Sequence, residues 1–304
     1  MRRKGTFLTF LLLLIIAIVF ISSCSFGSES SAPQEEKIKV YTTIYPLYDF
    51  AVKIAGEKAK VQSVIPAGVE AHDFEPSPKL MAEIYQSDVF IFLGSSIDPW
   101  AEKLAEQLAK EGVTVVEAGQ DLIQKEAPGG GHDPHVWLDP VMAMAIAEKI
   151  AGALTAADGE NATYYEENLK ELKRHLKILD GKYREALSSV KKRDFVVNHA
   201  AFGYLARRYN LNQIAISGLS PQQEPSPKKL AELSKICRER DIKYIFFETS
   251  ASSKLADALA REVGAGVLVL HTLENLTEDE IKAGEDYFSI MEKNLKNLMT
   301  ALGE

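Results

Sequence analysis

Short runs of β-branched and aromatic residues recur along the chain, separated by longer segments of mixed polarity. In the first half they fall at 37–44, 61–65, 89–93 and 113–116, and in the second at 195–198, 213–216, 244–247 and 267–270. Short apolar runs bounded by turn residues read as buried strands, and the stretches between them carry helical spacing. Such alternation predicts an α/β fold whose mainly parallel sheets are covered on both faces. Four helix starts share one device: Ser77-Pro78, Asp98-Pro99, Asp139-Pro140 and Ser226-Pro227 each put a capping side chain before a proline suited to the first turn.

Between the two series lies a different pattern. Tyr165, Leu169, Leu172, Leu176, Leu179, Tyr183, Leu187 and Val190 recur at steps of three and four in an otherwise polar stretch. That spacing predicts one continuous helix over 162–190 with a single apolar stripe, about 40 Å long at roughly 1.5 Å per residue. Gly181 is its one weak point. The chain therefore divides into a first α/β lobe (37–160), a connecting helix (161–190) and a second α/β lobe (191–304). A helical connector resists bending more than a loop does, which disfavours wide closure of the lobes.

The first residues read as a leader. Arg2-Arg3-Lys4 precedes an apolar run over 7–21 broken only by Thr9, and Ile21-Ser22-Ser23-Cys24 follows. The run falls short of the roughly 20 residues that span a bilayer comfortably. Small residues before a cysteine resemble a bacterial lipobox, so 1–23 is expected to be a signal peptide and Cys24 the lipid-modified first residue, with an uncleaved anchor as the plain alternative. The segment 24–36, rich in Ser, Glu, Gly and Pro, reads as a flexible tether. The other cysteine, Cys237, then has no disulfide partner and reads as a core residue.

The 304 residues are 46% hydrophobic and 26% charged, a globular composition. The formal charge of -8, with three of the basic residues in the leader, argues against a nucleic-acid partner.

Chemistry concentrates in the histidines. His72 lies in the loop GVEAHDFEPSP, and His135 in HDPHVWLDP, each leading into a capped helix. His199 follows the apolar run FVVN, and His271 follows VLVL. Ligands of open α/β sheets gather beyond the carboxyl ends of the strands. Singly, each histidine fits a structural hydrogen-bonding role. Together, on separate loops of two lobes, they could meet in the cleft and supply the three or four donors of a zinc site. His132 and His175 read as surface residues.

These segments carry a resemblance. The loop around His72 with its EPSP, DPHVWLDP, NHAAFGYLA, GLSPQQEPSP, FFETS and the C-terminal EDYFSIMEKNLKNL together resemble the zinc and manganese solute-binding proteins of ABC importers, the ZnuA/TroA-like family. The resemblance runs from about Lys37 to the C-terminus. It implies two α/β lobes joined by one long backbone helix, a metal in the interlobe cleft, and delivery to an importer permease. Carried over by motif, the ligands are His72, His135 and His199, with His271 where the family places a variable fourth ligand, commonly a carboxylate. Water or Glu70 is the alternative there. The long His- and acid-rich loop of many zinc members is reduced here to PGGGHDPH, which puts an accessory metal-capturing role in doubt.

The expected function is capture of zinc, with manganese or iron less suited to imidazole donors, by a monomeric lipoprotein outside the cell membrane. Glu248, Glu75 and Glu224 are candidates to orient the ligands. A zinc hydrolase is the competing enzyme class, but the chain has no HExxH helix and no Gly-x-Ser-x-Gly elbow. A surface adhesin is the third reading, and neither tandem repeats nor low-complexity stretches support it.

Overall fold

A computed structural model describes residues 37–94, 97–123, 131–223, 225–249 and 254–303. The leader, the tether, Cys24 and Glu224 lie outside these described residues.

The first lobe alternates β1 (Ile38–Thr42), α1 (Tyr45–Ala55), β2 (Ala59–Ser63), α2 (Pro78–Ile84), β3 (Val89–Phe92), α3 (Pro99–Lys110) and β4 (Thr114–Glu117). A 3-10 turn (Val136–Leu138) then leads into α4 (Pro140–Ala157). The long helix α5 (Ala162–Ser188) follows without a break at Gly181. The second lobe holds β5 (Asp194–Val197), α6 (Gly203–Arg208), β6 (Asn212–Ala215), α7 (Pro227–Glu239), β7 (Tyr244–Phe247), α8 (Lys254–Val263) and β8 (Gly266–Val269), closed by α9 (Glu278–Lys282) and α10 (Tyr287–Gly303). Among the described residues every strand pairing is parallel, in the orders β2-β1-β3-β4 and β6-β5-β7-β8. The two lobes therefore repeat one topology, and each has a crevice at the carboxyl end of its sheet.

The apolar stripe of α5 explains its place. Tyr165, Leu172, Leu176, Leu179, Tyr183 and Leu187 are buried, and the helix packs on α1, α4 and α10. One continuous core runs from Val40 in the first sheet through this stripe to Phe195 and Phe246 in the second. Separate clusters cover the outer faces of the two sheets, beneath α2 and α3 on one side and α7 and α8 on the other. Cys237 is a buried free thiol in the latter.

Three of the four proline-flanked helix starts are capped by the expected side chain, with Ser77, Asp139 and Ser226 accepting from the amides of Leu80, Val141 and Lys229. Asp98 makes no such bond. Its buried carboxylate instead accepts from the amides of Leu93 (2.9 Å) and Gly94 (2.8 Å) and from the Thr43 hydroxyl, tying the end of β3 to the end of β1.

The segment after β8 does more than finish the second lobe. Glu274 O accepts from Tyr45 N, one of the unpaired amides at the start of α1, at 3.0 Å. Leu276 O accepts from Gly68 N at 2.9 Å, and Asn275 Nδ2 donates to Val69 O at 3.0 Å. Trp137 Nε1 donates to Thr272 O, and Tyr287 Oη donates to Trp137 O. These bonds lay 272–276 directly against the loop that carries His72.

Candidate metal centre

His72, His135, His199 and Glu274 bring their ligand atoms within 4.8 Å of one another. Glu274 Oε1 lies 3.7, 3.2 and 3.4 Å from the Nε2 atoms of His72, His135 and His199. The two nearest imidazole nitrogens, Nε2 of His135 and of His199, are 3.3 Å apart. All four side chains are buried, and Glu274 Oε1 and His72 Nε2 have no hydrogen-bond partner among the described residues. Buried polar atoms without partners cost free energy unless something converges on them, so the arrangement itself fits a cation site.

The outer side of the cluster fixes its chemistry. His135 Nδ1 lies 2.8 Å from Asp133 Oδ1, which also accepts the His135 amide at 3.0 Å. His199 Nδ1 lies 2.7 Å from Glu248 Oε1, at the end of β7. A carboxylate on Nδ1 holds the proton there and leaves the Nε2 lone pair facing the cluster, the tautomer a metal ligand needs.

Burial resists charging Glu274, but the imidazoles of His135, His199 and His72 gathered about its carboxylate outweigh it and hold the carboxyl well below its ordinary range. Burial likewise resists charging His135 and His199. Asp133 and then Glu274 raise the first, and Glu248 and then Glu274 raise the second well above the usual histidine value. Glu70 accepts the His72 amide at 3.3 Å, and burial together with the Glu274 charge pushes its carboxyl up to about 8.

The structure brings together three of the four histidines named from sequence, with Glu274 beside them, and places His271 outside the group. The chain turns through Leu273, held in the left-handed region at φ 62°, so Glu274 reaches the cluster while His271 faces Glu280 of α9, with 3.3 Å from Nε2 to Oε1. Of the candidate orienting residues, Glu248 sits on His199, Glu75 is exposed and outside the cluster, and Glu224 lies outside the described residues. Sequence reasoning missed Asp133 and the fourth position of Glu274. The signal for Asp133 is its place two residues before a histidine in a tight turn. For Glu274, only an acidic side chain beyond the strand end could have drawn notice. His132 and His175 are exposed and not in the cluster.

Two parallel-sheet lobes sharing one core, with a buried set of three imidazoles and one carboxylate, define a two-lobed α/β protein with a candidate metal site. Residues 40–301 match the periplasmic component A of zinc-uptake complexes, ZnuA, and the chain belongs to that family. It is 41% identical over 304 residues to the zinc-binding lipoprotein AdcA of Streptococcus pneumoniae, covering 95% of this chain but 60% of that one. The chain thus spans about three fifths of that relative. It is 38% identical to the high-affinity zinc uptake system protein ZnuA of Bacillus subtilis, covering 95% of this chain and 97% of the relative. The crystal structure of the Zn(II)-bound ZnuA-like domain of the S. pneumoniae AdcA superposes with a TM-score of 0.78 at 43% identity, covering 88% of this chain and all of that one.

Proposed function

We propose that this protein binds zinc outside the cytoplasmic membrane and delivers it to the permease of an ABC importer, working as a monomer held to the membrane by a lipid on Cys24. The observation that carries the reading is the buried convergence of three Nε2 atoms and one carboxylate oxygen, with the outer nitrogens of two imidazoles already held by Asp133 and Glu248. His72, His135, His199 and Glu274 are the ligands. Zinc as cargo is supported by the names of the relatives and by the donor chemistry. Three neutral imidazoles favour zinc over manganese, which stands lowest in the first-row order and prefers oxygen.

Four protein donors complete a tetrahedral shell, leaving no position for the activated water of a zinc hydrolase. The family is one of binding proteins, and transport without catalysis is the consistent reading.

Zinc titration of the purified protein against a chelating competitor tests it. Trp137, whose ring centroid lies 5.2 Å from that of His135, supplies a fluorescence signal. One equivalent of zinc bound tightly and displaced poorly by manganese is the expected result. Binding no tighter than at a surface histidine, or a preference for manganese, would reject it.

A further inference from the structure

We propose that His271 is a positioning residue for the metal centre, acting as a neutral imidazole whose Nδ1 holds the turn that presents Glu274. The inference rests on the zinc-binding reading above and goes beyond its ligand set.

Leu273 N donates to His271 Nδ1 at 2.8 Å. An amide can only donate, so Nδ1 carries no proton and the imidazole is the Nε2–H tautomer. That bond closes the turn in which Leu273 adopts φ 62°. A branched, fully buried side chain in the left-handed region is strained and persists only where its surroundings over-determine it. Three things do so here. The His271 amide and carbonyl are clamped by the side-chain amide of the buried Asn294, each bond at 2.8 Å. The ring itself takes the Leu273 amide. Beyond the turn, the Glu274 carbonyl is fixed to Tyr45 N.

The far edge of the ring faces Glu280, whose other oxygen closes a capping box with Thr277 at the start of α9. The imidazole therefore sits between the α9 cap and the Glu274 turn. Its effect on zinc must pass through the position of the Glu274 carboxylate, because none of its atoms belongs to the donor cluster.

Two near-isosteres separate this role from simple packing. In His271→Asn, Oδ1 takes the place of Nδ1 and can accept the Leu273 amide; in His271→Gln, the acceptor moves to the place of Nε2 and cannot. Zinc affinity is expected to stay within about threefold of wild type in the first and to fall about tenfold or more in the second, the range seen when a ligand-orienting group is lost. In metal-free protein, hydrogen exchange of the peptide covering 270–277 should match wild type in His271→Asn and quicken in His271→Gln. With Glu274→Ala in the background, His271→Gln should cost no further affinity. Equal affinities in the two variants, or a His271→Gln deficit that persists undiminished in the Glu274→Ala background, would overturn the inference. Absence of tight zinc binding by the wild-type protein would instead overturn the function on which it rests.

Discussion

His135 Nε2 and Glu274 Oε1 lie 3.2 Å apart, although 139 residues of chain separate them and the sequence places them in different lobes. The contact depends on the chain returning to the first lobe after β8, and it makes the donor set a property of both lobes together.

The carboxylates behind the imidazoles should matter nearly as much as the ligands. Asp133→Asn and Glu248→Gln keep size but lose the acceptor charge that sets the Nδ1 proton and ring orientation. Each is expected to lower zinc affinity by about 10- to 100-fold. Competition titration reads this, and affinities equal to wild type would show that ring packing alone orients the histidines.

Protons and zinc compete for the same atoms, with a definite sign. The raised His135 and His199 values stabilise the metal-free fold below the unfolded histidine value, about 6.5, and that contribution is lost as pH rises through their folded values. The depressed Glu274 value stabilises above the unfolded carboxyl value, about 4.3, and is lost as pH falls through its folded value. The site's stabilisation of metal-free protein should therefore be greatest between about 4.3 and 6.5. Zinc affinity, by contrast, should climb with pH above about 6.5, with protons released on binding. Thermal scans with and without zinc across pH check both, and a zinc-induced rise in Tm that shrinks as pH rises from 6 to 8 would contradict them.

Much of this is legible in the sequence itself. Strand periodicity, the stripe from Tyr165 to Leu187 and the proline-flanked caps are local signals, each fixed by neighbours in sequence. His72, His135 and His199 stood out because their loops carry family motifs. Glu274 did not, because its place is set by the left-handed Leu273 and by bonds to Tyr45 and Gly68 more than 200 residues away, neither of which leaves a period or a motif. Asp98 failed as a cap for a related reason: the free amides of Leu93 and Gly94 and the Thr43 hydroxyl claim its carboxylate.

Asp139 is one tie between the lobes: it caps α4 and pairs with Arg208 of α6 at 2.8 Å. Asp139→Ala should cost about 1 kcal/mol for the cap, and the Arg208 pair, a quarter exposed on the arginine side, should add less. A lowered Tm with intact secondary structure is expected. An unchanged Tm would show that neither the cap nor the Arg208 pair contributes to stability.

The unbroken α5 and the core it shares with both lobes leave little room for hinge motion. Zinc-free and zinc-loaded protein should have nearly equal radii of gyration in solution scattering. Marked compaction on adding zinc would point to bending at Gly181.

X-ray absorption at the zinc edge of the loaded protein tests the donor set most directly. Four nitrogen or oxygen neighbours at about 2.0–2.2 Å, with multiple scattering from three imidazoles, is the expected spectrum. It should be unchanged in His271→Asn and lose one light neighbour, or exchange it for water, in Glu274→Ala. A six-coordinate oxygen shell, or a fourth imidazole that disappears in His271→Asn, would contradict the assignment of His72, His135, His199 and Glu274.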